Sequence, residues 1–286
     1  MKKRIVRKFN IMKRALKMEL REHKSSFVVY VVLRALVILM MVLQILNGNY
    51  ENVFLCILTL LLLLVPSFVQ VNLKIELPTV LEITILIFIF AAEILGEIQS
   101  FYVKFPFWDD VLHTINGFLA AAIGFALIDI LNRNKRAKIN LSPFFVAVVA
   151  FCFSMTIGVI WEFFEFSMDT FAGLDMQKDT VVHHITSVAL DDTKSNIPVT
   201  ITQINDTFVN GQSLGVGGYL DIGLIDTMKD LFVNFIGAVV FSIIGFFYIK
   251  NRGKGKFAKE FIPSLKDENA DFLEKSIEIE KEKENL

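Results

Sequence analysis

The side chains able to do chemistry in this 286-residue chain gather in three short stretches. In WDDVLHTINGFLAAAIG, about 100° of turn per residue puts Asp109, Asp110, His113, Asn116, Gly117, Ala120 and Gly124 on one face of a helix. In IGVIWEFFEFSMD, Glu162, Glu165 and Asp169 are spaced three and four apart, which stacks them in one stripe while Phe163, Phe164 and Phe166 take the other sides. IDTMKDLFVNFIGA sets Asp226, Asp230, Asn234 and Gly237 on a single face. Many oxygen donors and a single histidine suit a hard divalent cation, Mg²⁺, Mn²⁺ or Ca²⁺, rather than structural zinc, with Glu162, Glu165, Asp226 and Asp230 as the candidate ligands. His113, Asp110 and Glu165 are the candidate proton-transfer groups.

The elements that must position these residues are membrane helices. The hydrophobic fraction is 54%, with 12% aromatic residues, and the mean hydropathy is +0.55. The excess is concentrated in blocks such as NVFLCILTLLLLLVPSFV and PTVLEITILIFIFAAEIL, each near the roughly 20 residues that cross a bilayer as helix. Windows of that length place spans near 27–46, 52–70, 78–96, 111–131, 143–168 and 228–249. The fold class is therefore an all-α polytopic membrane protein, with about six transmembrane helices and a small extracytoplasmic β-hairpin insert.

Five parts follow: a basic cytoplasmic N-terminus (1–26), five helices with short loops (27–168), an extracytoplasmic insert (169–225), a sixth helix (226–249) and a charged cytoplasmic tail (250–286). Lysines and arginines crowd the segments 1–26 and 132–142 and the start of the tail, Lys74 lies in 71–77, and the short outside segments hold only Lys104, which assigns the first group and both termini to the cytoplasmic side of the inner membrane. The apolar run from Phe27 to Leu46 is too long for a signal peptide and reads as a retained first helix. The basic N-terminus abuts it, so the partner is the lipid bilayer and no nucleic acid. Cys56 and Cys152 fall within spans and imply no disulfide.

Within the insert, VVHHITSVAL and NIPVTITQI flank the turn-rich DDTKSN and predict a hairpin, in which His183 and His184 point to opposite faces. GQSLGVGGYLDIG lacks the lysine and the βαβ context of a nucleotide loop. The end of the tail, KSIEIEKEKENL, reads as a solvated helix or a disordered stretch. Arg34, deep in the first span, is expected to snorkel or to meet Glu82 or Asp129, in a structural role. Trp108 and Trp161 read as interface anchors.

Counting about 1.5 Å per residue from the cytoplasmic ends brings His113, Glu162, Glu165 and Asp230 to one layer near the outer headgroups. Glu93 and Glu97 are candidates for the same layer. Helix capping is the competing explanation for Asp109, Asp110 and Asp226, since acids are favoured at helix N-termini. It does not serve Glu162 and Glu165 at a C-terminus, or His113 and Asn234 one turn inside.

The motifs D-x-x-H-x-x-x-G (Asp110 to Gly117), W-E-x-x-E (Trp161 to Glu165) and D-T-x-x-D-x-x-x-N-x-x-G-A (Asp226 to Ala238) resemble the YjdF-like family of bacterial inner-membrane proteins over roughly the last four spans. The order of these motifs is also similar to the VanZ-like membrane proteins, from which the long insert and the extra N-terminal spans depart. The nearer family has no agreed reaction, so the resemblance implies a membrane fold and no mechanism.

Three readings stay open on sequence. One is metal-dependent hydrolysis or transfer on an envelope lipid or cell-wall precursor, with water activated by the cation and His113 as acid or base. Another is a proton-coupled transporter or flippase, and the last a non-enzymatic scaffold. Few ionisable groups lie below Asn234 on the inward faces, which ranks the enzyme first.

Overall fold

A computed structural model describes residues 2–133, 141–251, 253–266 and 271–284. Among these, six helical stretches are long and apolar enough to cross a membrane: Lys24–Leu46, Tyr50–Leu73, Thr79–Ile98, Trp108–Asp129, Pro143–Ala172 and Leu224–Lys250. Apolar residues such as Val28, Leu39, Phe54 and Ile243 stay exposed on their outer faces, which suits a lipid solvent and not water. The chain forms two compact units, residues 1–156 with 233–286, and residues 157–232.

In the first unit, α1 (Lys2–Glu19) precedes α2 (Lys24–Leu46), α3 (Tyr50–Leu62) and α4 (Val65–Leu73). A single span was expected over 52–70, but Pro66 offers no N–H to the carbonyl of Leu62 and the helix breaks there. At the break the Leu64 N–H turns to Leu61 O at 3.0 Å, so it no longer serves Leu60 O. Arg34 supplies the missing donor: its guanidinium reaches Leu60 O at 3.3 Å and the Tyr30 hydroxyl at 3.1 Å. Its hydrogen-bond partners are this freed carbonyl and a tyrosine rather than Glu82, which takes a hydrogen bond from Gln70 at 3.3 Å.

After β1 (Ile75–Glu76), α5 (Thr79–Phe90) runs into a π-helical segment, Ala91–Ile98, and is followed by short α6 (Phe101–Lys104), α7 (Trp108–Arg133) and α8 (Pro143–Ser167). Small residues let α7, α8 and α9 (Leu224–Lys250) meet at backbone distance. A Cβ on Gly237 would stand 2.0 Å from Thr114 O, and one on Gly117 would stand 2.1 Å from Asn234 O. Ser154 Oγ donates to Gly117 O at 2.7 Å. Below these contacts Phe118 and Phe125 close edge-to-face on Phe241 amid Ala121, Ala122, Val146 and Ala150.

The tail is bound, not free. Gly253 reverses the chain, α10 (Lys256–Lys259) follows, and Phe261 packs edge-to-face on Phe118 with ring centroids 5.1 Å apart. β8 (Ser264–Leu265) pairs antiparallel with β1, and the buried Lys266 ammonium pairs with Glu19. α11 (Phe272–Glu284) lies on α1, where Arg14 bonds Ser276 O at 3.2 Å and Glu280 at 2.9 Å. Phe272 is buried with Ala15 and Val71, and Leu273 packs against them, so this stretch gains apolar anchors that its own composition understates.

The second unit holds the end of α8, a π turn at Met168–Ala172, the insert and the start of α9. The expected hairpin is present as β3 (His184–Ser187) against β4 (Val199–Thr202) in antiparallel register, His184 opposite Thr202. β2 (Val181–Val182) pairs with β7 (Tyr219–Leu220), and β5 (Phe208–Val209) with β6 (Gln212–Ser213). His183 sits at a bend between β2 and β3, and its Nδ1 is 2.9 Å from Ile204 O, so the two histidines do not share a strand.

Candidate functional site

The second unit concentrates carboxylates. α8 runs helically through Trp161–Ser167, so Glu162 and Glu165 project from one stripe of its last turns, and α9 presents Asp230. Glu162, Glu165 and Asp230 are 4%, 8% and 1% exposed, and each contributes an oxygen to a set lying within 4.8 Å of one another. An oxygen of Asp226, one turn earlier on α9, lies within 4.8 Å of Asp230. Asp226 also caps the insert, accepting the Lys178 N–H at 2.7 Å. Three buried carboxylates converging on a point make an all-oxygen donor set, which fits Mg²⁺, Mn²⁺ or Ca²⁺.

Trp161, expected as an interface anchor, also makes a polar contact. Its indole N–H donates to Glu165 Oε1 at 2.9 Å, fixing the orientation of a candidate ligand across one turn. The signal for this was present as a W-x-x-x-E spacing, but an i,i+4 pair of that type is common enough to pass unread.

Asp169, expected on the same stripe as the glutamates, is used elsewhere. The helix widens into the π turn at Met168, and Asp169 accepts the N–H groups of Met176 and Gln177 at 2.6 and 2.9 Å. Gln177 Nε2 then reaches Thr227 Oγ1 at 2.6 Å. Asp221 likewise takes Thr180 N and Ile225 N at 2.7 and 2.8 Å, so these acids organise the insert.

In the first unit, His113 is 7% exposed on α7, and its Nε2 lies 3.5 Å from Asp109 Oδ1. Asp110 is half-buried on the first turn, where its backbone carbonyl accepts Thr114 Oγ1 at 2.7 Å. One turn below His113, Asn116 Nδ2 donates to Asn234 Oδ1 at 3.3 Å, and Asn234 is 1% exposed. The structure thus gathers Glu162, Glu165 and Asp230 in one unit with Asp226 at their edge, and pairs His113 with Asp109 in the other. Glu93 and Glu97 lie in the π-helical segment of the third span.

These motifs belong to a wider pattern. Residues 28–251 match the profile of a family described as predicted membrane protein, DUF2238. The chain belongs to the DUF2238 family. The YjdF-like proteins that its motifs resemble are this family, and the match takes in all six spans and the insert. No curated protein and no solved structure matches the chain.

Proposed function

We propose that this DUF2238 protein is a membrane enzyme that uses a divalent cation, held by Glu162, Glu165 and Asp230, to hydrolyse or transfer a group on an envelope lipid or cell-wall precursor. The observation that carries the reading is the convergence of those three buried carboxylates within 4.8 Å. A bound cation there supplies Lewis acidity and lowers the pKa of water. The Trp161 indole N–H would orient Glu165 for such a cation, and Asp226, with an oxygen within 4.8 Å of Asp230, would be a further ligand.

His113, with its Nε2 3.5 Å from Asp109 Oδ1, is the proton-transfer group in this proposal, and Asp110 on the first turn of the same helix is a further candidate. Support comes from the first unit, where Gly117 meets Asn234, Gly237 meets Thr114 and Ser154 bonds Gly117 O. The bias of lysine and arginine supports an extracytoplasmic site with both termini in the cytoplasm. Against a transport path, the ring cluster of Phe118, Phe125 and Phe241 fills the first unit below Asn234, and Phe261 of the tail packs onto it.

The test is turnover of phosphate-linked polyprenyl lipids by the full chain in nanodiscs containing Mg²⁺ or Mn²⁺. His113→Ala and Asp230→Asn each abolish turnover at normal folded yield, and the double variant is no slower than either single one, because the groups act as a unit. Turnover that survives both substitutions and chelation defeats the proposal.

A further inference from the structure

A second place where charge and shape coincide lies at the other end of α9. The last turn of this helix ends at Lys250, and Gly253 takes a left-handed conformation with φ +74°, which lets its N–H reach back to Tyr248 O at 2.9 Å. The chain then reverses, with Lys254 N bonded to Asn251 O at 3.3 Å. Beside this reversal lies a shallow, open cavity of about 510 Å³ lined by Lys250, Asn251, Lys254 and Gly255.

Three features of this cavity point to one ligand. Its two lysines have no carboxylate within 4.0 Å among the described residues, and Asn251 adds a side-chain amide to the lining, so the lining is complementary to an anion. Phe247 and Phe257 beside it are 51% and 59% exposed, and Lys250 Nζ sits 5.6 Å above the Phe246 ring, so the cations stand on an apolar, lipid-facing surface. The 27 residues of α9 span about 40 Å, more than the roughly 30 Å of hydrocarbon in a bilayer, which sets its last turn among headgroups.

We infer that this cavity binds the phosphate headgroup of an anionic phospholipid such as phosphatidylglycerol, with the acyl chains laid along Phe246 and Phe247. A zwitterionic headgroup brings its own ammonium toward Lys250 and Lys254 and is disfavoured. The site holds whether or not the acidic centre binds a metal, so the two proposals fail separately.

The experiment is thermal unfolding of the full chain in a neutral detergent with phosphatidylglycerol, phosphatidylcholine or inorganic phosphate added. Phosphatidylglycerol is expected to raise the midpoint by several degrees more than phosphatidylcholine, and inorganic phosphate to leave it unchanged. Lys250→Ala with Lys254→Ala, both at exposed positions, is expected to keep the lipid-free midpoint and lose the difference between the two lipids. Equal shifts from both lipids, or a difference that persists in the double variant, overturn the inference. An equal response to inorganic phosphate makes this a free-anion site and overturns the lipid assignment. Should the double variant fold poorly, native mass spectrometry of the wild-type chain in a one-to-one lipid mixture decides: several-fold retention of phosphatidylglycerol is expected, and equal retention refutes it.

Discussion

Gly237→Ala tests the packing that fixes α9 against α7. An alanine Cβ there would lie 2.0 Å from Thr114 O and 2.8 Å from Phe118 N, both backbone atoms of a helix that cannot rotate aside. Restoring ordinary contact at 3.4 Å requires the two helices to part by about 1.4 Å at that level. Overpacking of this kind costs about 1–3 kcal/mol, and a backbone obstacle puts Gly237→Ala toward the upper end. Gly245→Ala is the graded control, because its Cβ meets the Phe125 ring at 2.6 Å and a ring can turn. Gly117→Ala strikes the same interface, with Asn234 O at 2.1 Å, so combining it with Gly237→Ala costs less than the sum of the two once the helices have parted. The assay is thermal unfolding and monodisperse yield in mild detergent. An unchanged midpoint for Gly237→Ala, or strict additivity of the pair, would refute the backbone contact between α7 and α9.

Three further outcomes follow from the structure. Burial lifts the Glu19 carboxyl from 4.5 to about 7 against the pull of the Lys266 ammonium, so the docked tail holds a proton that a released tail gives up, and anchoring of Phe272–Glu284 weakens as pH rises from about 4.5 to 7. Hydrogen exchange of that helix should show the slope in the wild type and lose it in Glu19→Gln; a slope of opposite sign, or one that survives the substitution, contradicts the assignment. Arg34→Leu should lower folded yield by leaving Leu60 O without a donor, while activity per folded molecule is retained; lost activity at normal yield would show that Arg34 serves the chemistry. A cysteine at exposed Ser195 should react with an impermeant thiol reagent in intact cells and one at exposed Lys281 should not, and the reverse pattern inverts the orientation.

Much of the fold was legible because a bilayer leaves few choices: long apolar runs become helices, and β-branched runs around DDTKSN become a hairpin. The break at Pro66 was written in the sequence too, yet its consequence was not, because a freed carbonyl at Leu60 finds Arg34 only through packing of α2 on α3. Docking of the tail escaped for the same reason. Lys266 and Glu19 are 247 positions apart, and no local pattern announces that a lysine in a polar tail will be 2% exposed. In the acidic region, three-and-four spacing put Glu162 and Glu165 on one stripe and helical phase singled out Asp230, and their oxygens come within 4.8 Å of one another because those positions obey regular helix geometry. Asp169 broke the rule where the helix widens at Met168, and the indole of Trp161 was read by its apolar body rather than by its N–H.

The central claim is that Glu162, Glu165 and Asp230 hold a cation. Titration of the purified, chelator-stripped chain with Mn²⁺, followed by electron paramagnetic resonance, measures this directly. The account predicts about one saturable Mn²⁺ per chain, displaced by Mg²⁺ or Ca²⁺, and lost in Glu162→Gln and Asp230→Asn at unchanged folded yield. No saturable binding by the folded wild-type chain, or binding that persists in both variants, would contradict it.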